Sequence, residues 1–400
     1  MISTLGDLVL YIALPFVVYD MTGSTLATGA MMIVETIPMV FLGSLAGVFV
    51  DRWDRRRTMV ASDLLRALFL FPLLLVHSTD TLWIVYTVGL VEAAIGQFFG
   101  PAKNALIPGL VSSEQLTAAN ALNGQAGATS GLIGPVLGGA LFAVLGLRGS
   151  VLADGGSFVA SALLVGLIRP VARRSAGDRD VFARAAQGWR AVWGEWRDGV
   201  RLIAGAPVLV ATLVALGAVV LADGVSTALI VPVVRSVLHA GPREFGWMVS
   251  AASAAEMLGL LGIGRLSKSV APYQLMAVGA VAAGALMLIL VNVPSVSLVI
   301  LGFLLGGPAI PGNKVGADTL LQQSVDGTYR GRVFGAVGTT TGLVTLAGMA
   351  FSSSLGDVIG ISATMDLAGA VYFVSGLVAV VMLRRHRLAE IGARQPTEVI

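Results

Sequence analysis

Apolar residues fall along this chain in runs of about twenty, the length that a helix needs to cross the roughly 30 Å of a bilayer's hydrocarbon core. Twelve such runs hold at most one or two ionisable groups each, at about 2–21, 26–50, 58–77, 81–99, 119–146, 150–168, 207–234, 244–264, 272–292, 295–312, 333–355 and 361–383. Pro15, Pro38, Pro72, Pro135 and Pro232 lie inside them. In a soluble helix these prolines would be breaks, but in lipid the backbone has to pair internally and neighbouring helices absorb the kinks. The pattern predicts an all-α membrane protein of twelve transmembrane helices. No lysine or arginine precedes Arg52, so the first run lacks the basic lead of a signal peptide and reads as a retained helix.

Composition agrees with this reading. The 400 residues are 56% hydrophobic and 12% charged, about half the charge of a soluble globular chain. There are no cysteines and three histidines, which excludes disulfides, thiolate metal sites, iron–sulfur clusters and cysteine nucleophiles. No Gly-x-x-x-x-Gly-Lys-Ser/Thr segment occurs, so the sequence offers no ATP site. Neither enzymatic activity nor a cofactor or metal is expected. The net charge of +3 arises from loops: 23 of the 26 lysines and arginines fall on one side of the predicted topology, all but Arg148, Arg235 and Arg243. That bias places both termini in the cytoplasm and accounts for the basic character without a nucleic-acid partner.

Hydropathy collapses between 169 and 206, which divides the chain into a six-helix bundle at 1–168, a linker at 169–206, a second six-helix bundle at 207–384 and a tail at 385–400. Within the linker Trp189, Trp193, Trp196 and Val200 recur at helical spacing opposite Arg190, Arg197 and Arg201, the pattern of an amphipathic helix in the membrane interface. The halves repeat weakly. Gly124, Gly127, Thr129, Gly131 and Leu132 recur 211 residues later as Gly335, Gly338, Thr340, Gly342 and Leu343, and Asp154 recurs 212 later as Asp366. Six helices repeated once in parallel is a transporter architecture.

Between the second and third runs stands Gly47-Val48-Phe49-Val50-Asp51-Arg52-Trp53-Asp54-Arg55-Arg56-Arg57. It reads either as a positively charged turn or as a gate, in which Asp51 holds the positive end of a helix from the other half in one conformation only. The segment resembles the loop motif Gly-x-x-x-Asp-Arg-x-Gly-Arg-Arg of the major facilitator superfamily, with Asp54 in place of the second glycine. Pro101-Ala102-Lys103-Asn104-Ala105-Leu106-Ile107-Pro108, Glu114-Gln115-Leu116, Ala119-Asn120-Ala121-Leu122 and Arg330-Gly331-Arg332-Val333-Phe334 are similar to its macrolide-efflux and enterobactin-exporter branch. The resemblance implies that Gly47, Asp51, Arg52, Arg55 and Arg56 form a gating loop, with Asp51 engaging the start of the eleventh helix near Gly331–Gly335. In the fifth run, Gly134, Pro135, Gly138 and Gly139 resemble the antiporter motif of exporters, although close helix packing explains such small-residue runs equally well. At the equivalent positions the second half has Thr345, Leu346 and Met349.

Charges in hydrocarbon are costly and therefore candidates for function. Glu35, Glu92 and Glu256 fall near the middle of their runs, Asp223 slightly past the middle of its own, and Asp7 is shallower. Each is a candidate for proton coupling or substrate contact, with a structural hydrogen bond as the alternative. Asp20, Asp63, Arg66, Asp154 and Asp366 lie nearer the ends, where capping or pairing is expected, Asp63 with Arg66 at i, i+3 spacing. The fourth run has no arginine, so coupling through a residue of that kind is excluded. Tyr11, Phe16, Met31, Met32, Phe98 and Phe303 are candidates either for a cavity or for packing.

Together these features predict a secondary transporter of a bacterial cytoplasmic membrane. Its partners would be a small amphipathic substrate (a drug, an antibiotic or a siderophore-like molecule), protons and membrane lipid. Export by proton antiport leads; import on the same fold and a non-transporting receptor or scaffold are the alternatives. Nothing in the sequence specifies an oligomer, and a monomer is the default expectation.

Overall fold

A computed structural model describes residues 1–50, 53–168, 188–327 and 329–393. The α-helices are α1 (Ile2–Thr22), α2 (Thr25–Val50), α3 (Arg55–Leu70), α4 (Leu82–Leu106), α5 (Leu116–Leu167), α6 (Gly188–Ala204), α7 (Pro207–Ser236), α8 (Pro242–Leu266), α9 (Pro272–Asn292), α10 (Val296–Gly306), α11 (Pro311–Ser324), α12 (Arg330–Ile359) and α13 (Ile361–Ala393). No strand occurs among the described residues. Proline opens α7, α8, α9 and α11, where its missing N–H leaves no bond unmade. Gly23, at φ 63°, ends α1 and passes its N–H to the Tyr19 carbonyl, so α2 begins two residues later. The Asp54 carboxylate starts α3 by accepting the Arg57 N–H at 2.7 Å.

The backbone follows the hydropathy pattern at the fifth and sixth runs and departs from it at the tenth. The fifth and sixth runs are two helices, labelled together as α5 and separated by a kink at Gly146 (φ 63°, ψ −164°). At about 1.5 Å per residue the 52 residues of α5 far exceed one membrane thickness, so α5 makes two crossings and the described residues make twelve. The tenth run continues through a 3₁₀ turn, Gly307–Ala309, and α11 as far as Ser324. Its final polar turns keep helical pairing after the apolar sequence has ended.

The chain divides into two compact units. The first comprises Met1–Ala185, Thr227–Ser253 and Ser352–Ile361, and the second comprises Ala186–Ser226, Ala254–Phe351 and Ser362–Ile400. The end of α7, the start of α8 and the end of α12 thus belong with the first six crossings. In the first unit Leu10, Leu14 and Val18 of α1 bury against Met31, Leu70, Val85, Val88, Val151 and Phe158. A Cβ at Gly138 of α5 would stand 3.0 Å from the Leu8 carbonyl of α1. The second unit repeats that contact, since a Cβ at Gly348 of α12 would stand 2.4 Å from the Leu221 carbonyl of α7. Gly348 follows Gly138 by 210 residues and Leu221 follows Leu8 by 213, close to the repeat found in the sequence.

Also in the second unit, Trp196 and Val200 of α6 pack with Ile203, Val333 and Val337, and Trp196 Nε1 donates to Thr340 Oγ1 at 3.3 Å. One face of the linker helix is therefore seated on α12. Trp189 and Trp193 lie where side chains are outside the description.

Gly146 gives a direct test of the two-crossing reading. Gly146→Val should destabilise the detergent-purified protein by about 1–3 kcal/mol, because a branched residue is strained in that conformation. A thermal melt checks this, and an unchanged midpoint would mean that the chain does not turn there.

Candidate functional site

An arginine in hydrocarbon has to find its counter-charges within the protein. Arg66, on α3 and nearly fully buried, finds two. Its guanidinium is ion-paired with Asp7 of α1 and with Glu92 of α4, and Nε donates to Glu92 Oε1 at 2.8 Å. The Phe158 ring lies 4.1 Å below the guanidinium carbon, a cation–π contact that fixes the plane of the fork. The i, i+3 pairing of Asp63 with Arg66 expected from the sequence does not form. Asp63 is fully buried and neither of its carboxyl oxygens makes a hydrogen bond. The fork turns instead toward the two acids that other helices bring to it.

Asp7, Arg66 and Glu92 line a cavity of about 520 Å³ together with Tyr11, Met32, Glu35 and Gln97. Glu35 Oε2 is buried there without a hydrogen-bond partner. Three carboxyl groups and one guanidinium thus share a largely apolar chamber, which leaves an excess of acid for a cation or for protons. Of the apolar candidates Tyr11 and Met32 line this cavity, Met31 and Phe16 are core residues, and Phe98 stacks on Trp53 at 5.7 Å elsewhere in the unit. Asp223, Glu256 and Phe303 belong to the second unit. There Asp223 accepts a hydrogen bond from the Tyr372 hydroxyl, and Glu256 is exposed.

At the end of the first unit farthest from the arginine-rich α2–α3 turn, first-half helices grip second-half ones. Asp357, near the end of α12, accepts from Thr25 N at 3.0 Å, Thr25 Oγ1 at 2.8 Å, Ser24 Oγ at 3.1 Å and Leu26 N at 3.3 Å. A carboxylate thereby caps the positive end of α2. Arg235 of α7 reaches Asp20 of α1 at 2.5 Å and lies over Phe16. A Cβ on Gly139 of α5 would meet the Pro242 carbonyl, and one on Gly246 of α8 the Pro135 carbonyl, each at 2.2 Å. The two backbones touch where no side chain larger than hydrogen fits.

Comparison with known proteins decides the family. The sequence pattern of the Major Facilitator Superfamily matches residues 1–231 and 212–398. The chain belongs to this superfamily. It is 28% identical over 404 residues to the multidrug efflux pump Tap of Mycolicibacterium fortuitum, covering 96% of this chain and 93% of that one. It is 27% identical over 392 residues to the MFS-type transporter YfiS of Bacillus subtilis (strain 168), covering 95% and 90%. Over 170 residues it is 27% identical to macrolide efflux protein A of Streptococcus pyogenes, 42% of each chain. Among solved structures it is similar to a bacterial homologue of the iron transporter ferroportin in an inward-facing state (TM-score 0.69, 16% identity, 96% of this chain and 95% of that one). It is also similar to the nucleoside transporter NupG (TM-score 0.73, 14% identity, 95% and 98%). The protein is a multi-pass membrane transporter and not an enzyme.

Of the superfamily loop residues, Asp51 and Arg52 lie outside the described residues, so the expected contact of Asp51 near Gly331–Gly335 does too. Arg55 donates to the Ala105 carbonyl at 3.1 Å and Arg56 to the Val165 and Gly166 carbonyls, so both hold the ends of neighbouring helices. Gly47 has open space around it. Gly134 and Gly138 of the fifth-helix motif give α1 its close approach, while Pro135 and Gly139 meet α8. The sequence gives no direct sign of two of these contacts, Arg66 as the partner of Asp7 and Glu92, and Asp357 as the cap of α2. An arginine deep in an apolar run was the available signal for the first. For the second there was none beyond an acid near a helix end.

Arg66→Gln should lower the thermal midpoint by an amount equivalent to about 3 kcal/mol or more, because it leaves Asp7 and Glu92 facing one another. Asp7→Asn with Glu92→Gln in the same chain should recover most of the deficit. Thermal melts decide the matter, and equal stability in all three chains would mean that the cluster bears no charge. Asp357→Asn should loosen the clasp. Because the chain has no cysteine, a single Thr28→Cys, buried in the clasp region, can report: labelling by a membrane-impermeant thiol reagent should quicken about tenfold, as loss of roughly 1.4 kcal/mol of closure implies.

Proposed function

We propose that this protein is a secondary exporter of a bacterial cytoplasmic membrane, with both termini in the cytoplasm. It expels an amphipathic small molecule (a drug, an antibiotic or a siderophore-like compound) in exchange for protons by alternating access. The observation that carries the reading is the cavity in which Asp7, Glu35 and Glu92 share one arginine. Its apolar walls suit a lipophilic body, and its surplus carboxyl groups suit either a cationic group or protons, which compete for the same oxygens. Competition of that kind is exchange: a proton taken up releases the substrate, and a proton given up readmits it.

The clasp supplies the second requirement. Asp357, Arg235 and the Gly139–Gly246 crossing shut one end by contacts that fit in one arrangement only, and interfaces of this sort switch between discrete states. In this reading that end faces outward, and the cavity is served from the opposite side until the clasp opens. The efflux pumps among the relatives support the outward direction.

Sealed vesicles with an imposed pH gradient and a panel of antibiotics and siderophores test direction, coupling and substrate together. Uphill movement of at least one compound against the flow of protons is expected, reduced about tenfold or more by Glu92→Gln or Glu35→Gln while the folded protein stays in the membrane. Movement in the same direction as protons would make the protein an importer, and flux indifferent to the gradient and to both substitutions would remove the role given to these acids.

A further inference from the structure

Behind the cavity cluster, at the packed faces of α1, α3 and the second arm of α5, lie two more acids to which the mechanism above gives no task. Asp63 and Asp154 are both wholly buried. Neither oxygen of Asp63 makes a hydrogen bond, and Asp154 Oδ2 makes none; Asp154 Oδ1 receives the Ser157 hydroxyl at 3.3 Å. Gly6 of α1 leaves the space for this group, since a Cβ there would stand 2.2 Å from Asp154 Oδ1 and 2.2 Å from Ser157 Oγ. Arg66, one turn along α3 from Asp63, is a buried cation already paired with Asp7 and Glu92. A dry carboxylate with no cation of its own and no more than one serine hydroxyl beside it is costly to keep charged.

We infer that Asp63 and Asp154 are proton carriers of this transporter, held as neutral acids while Arg66 faces the cavity, and that Arg66 exchanges its cavity partners for Asp63 during the transport cycle. The inference rests on the exchange reading above and assigns it two further residues. The groups that face the two acids are Arg66 on α3, Asp7 on α1, Glu92 on α4 and the Ser157 and Ser161 hydroxyls on α5, with the amino terminus of Met1 contributing at longer range. When a proton binds Glu92, one O–H bond forms and the ion pair of Glu92 with the guanidinium is lost. Arg66 then turns back along its own helix to Asp63, one turn away at i, i+3. The O–H bond of Asp63 breaks, and its proton leaves to water. One proton enters and one departs, so the charge of the cluster is unchanged. Asp63 precedes Arg66 in α3 and lies about 4.5 Å nearer the arginine-rich end, so uptake and release occur at different depths.

The test reads protonation directly. Infrared spectra of the purified protein at neutral pH should show the C=O stretch of neutral carboxylic acids, and Asp63→Asn and Asp154→Asn should each remove part of it. In vesicles the same variants should lose about tenfold or more of gradient-driven movement yet keep substrate-for-substrate exchange without a gradient. Asparagine has the shape of the neutral acid; should either variant fail to fold, Ser161→Ala, beside Asp63, should shift the same band. A band unchanged in all these variants overturns the inference, as does one that appears only when sodium is withdrawn, which would make the occupant a metal cation. If the unaltered protein shows no gradient-driven movement, the exchange reading fails, and the infrared spectra still decide whether Asp63 and Asp154 carry protons.

Discussion

A charge within hydrocarbon has to be neutralised by the protein that carries it, and in this transporter the constraint falls on Arg66. Its position on α3 would leave a guanidinium in an apolar interior unless other helices supplied acids, and α1 and α4 do so with Asp7 and Glu92. Three helices are thereby fixed in register by one side chain, and the Phe158 ring from α5 adds a fourth. The pairing is stabilising only as a set. Removing one member exposes the others to the full cost of desolvation, so protonation of one acid bears on the position of every helix in the group.

Lipid offers no hydrophobic drive for helix association, and close packing has to replace it. The glycines of α5 do this in two directions. Gly134 and Gly138 admit α1, and Gly139 with Gly246 admits α8. Ordinary small-residue packing and an exporter-type motif were alternative accounts of this segment. The structure shows the packing, with α1 at Gly134 and Gly138 and with a second-half helix at Gly139. Backbone-to-backbone contact through glycine has little tolerance for intermediate positions, because a shift of one residue places a Cβ where a carbonyl stands. A crossing built this way is either seated or released.

Much of the fold was legible in the sequence, because a membrane span is declared by a run of apolar residues and little else. The departure arises where that signal is silent. Hydropathy reports where a helix leaves hydrocarbon, not where its backbone pairing stops, so α11 runs past the predicted end of its span. Between the fifth and sixth crossings the short gap in hydropathy and the non-helical backbone at Gly146 agree. For the site, depth along each helix singled out Glu35 and Glu92, and these share one cavity with the shallower candidate Asp7. Depth alone could not give azimuth. It ranked Glu256 with Glu35, although Glu256 is exposed, and it set Arg66 aside as a residue to pair locally. The i, i+3 spacing of Asp63 and Arg66 shows that a pair is sterically available, whereas acids on neighbouring helices decide which pair forms.

The chemistry and the clasp meet in α1. Asp7 binds Arg66 near one end of the helix, the next two residues, Leu8 and Val9, lie against Gly138, and Asp20 and Phe16 hold Arg235 near the other end. Pro15 stands between these groups, where its missing N–H removes one rung of the helical ladder and weakens the helix at a defined point. In the cycle inferred above, a change of partner at Arg66 pulls on Asp7. Leu8 and Val9 sit against the α5 backbone with no slack, so the pull is passed to α5, and α5 carries the Gly139 crossing with α8. In the exchange reading proposed above, loss or gain of a proton at the cluster would reach the clasp through two rigid contacts. No long chain of side-chain rearrangements is needed, and Pro15 allows the far half of α1 to keep its grip on Arg235 until the crossing itself releases.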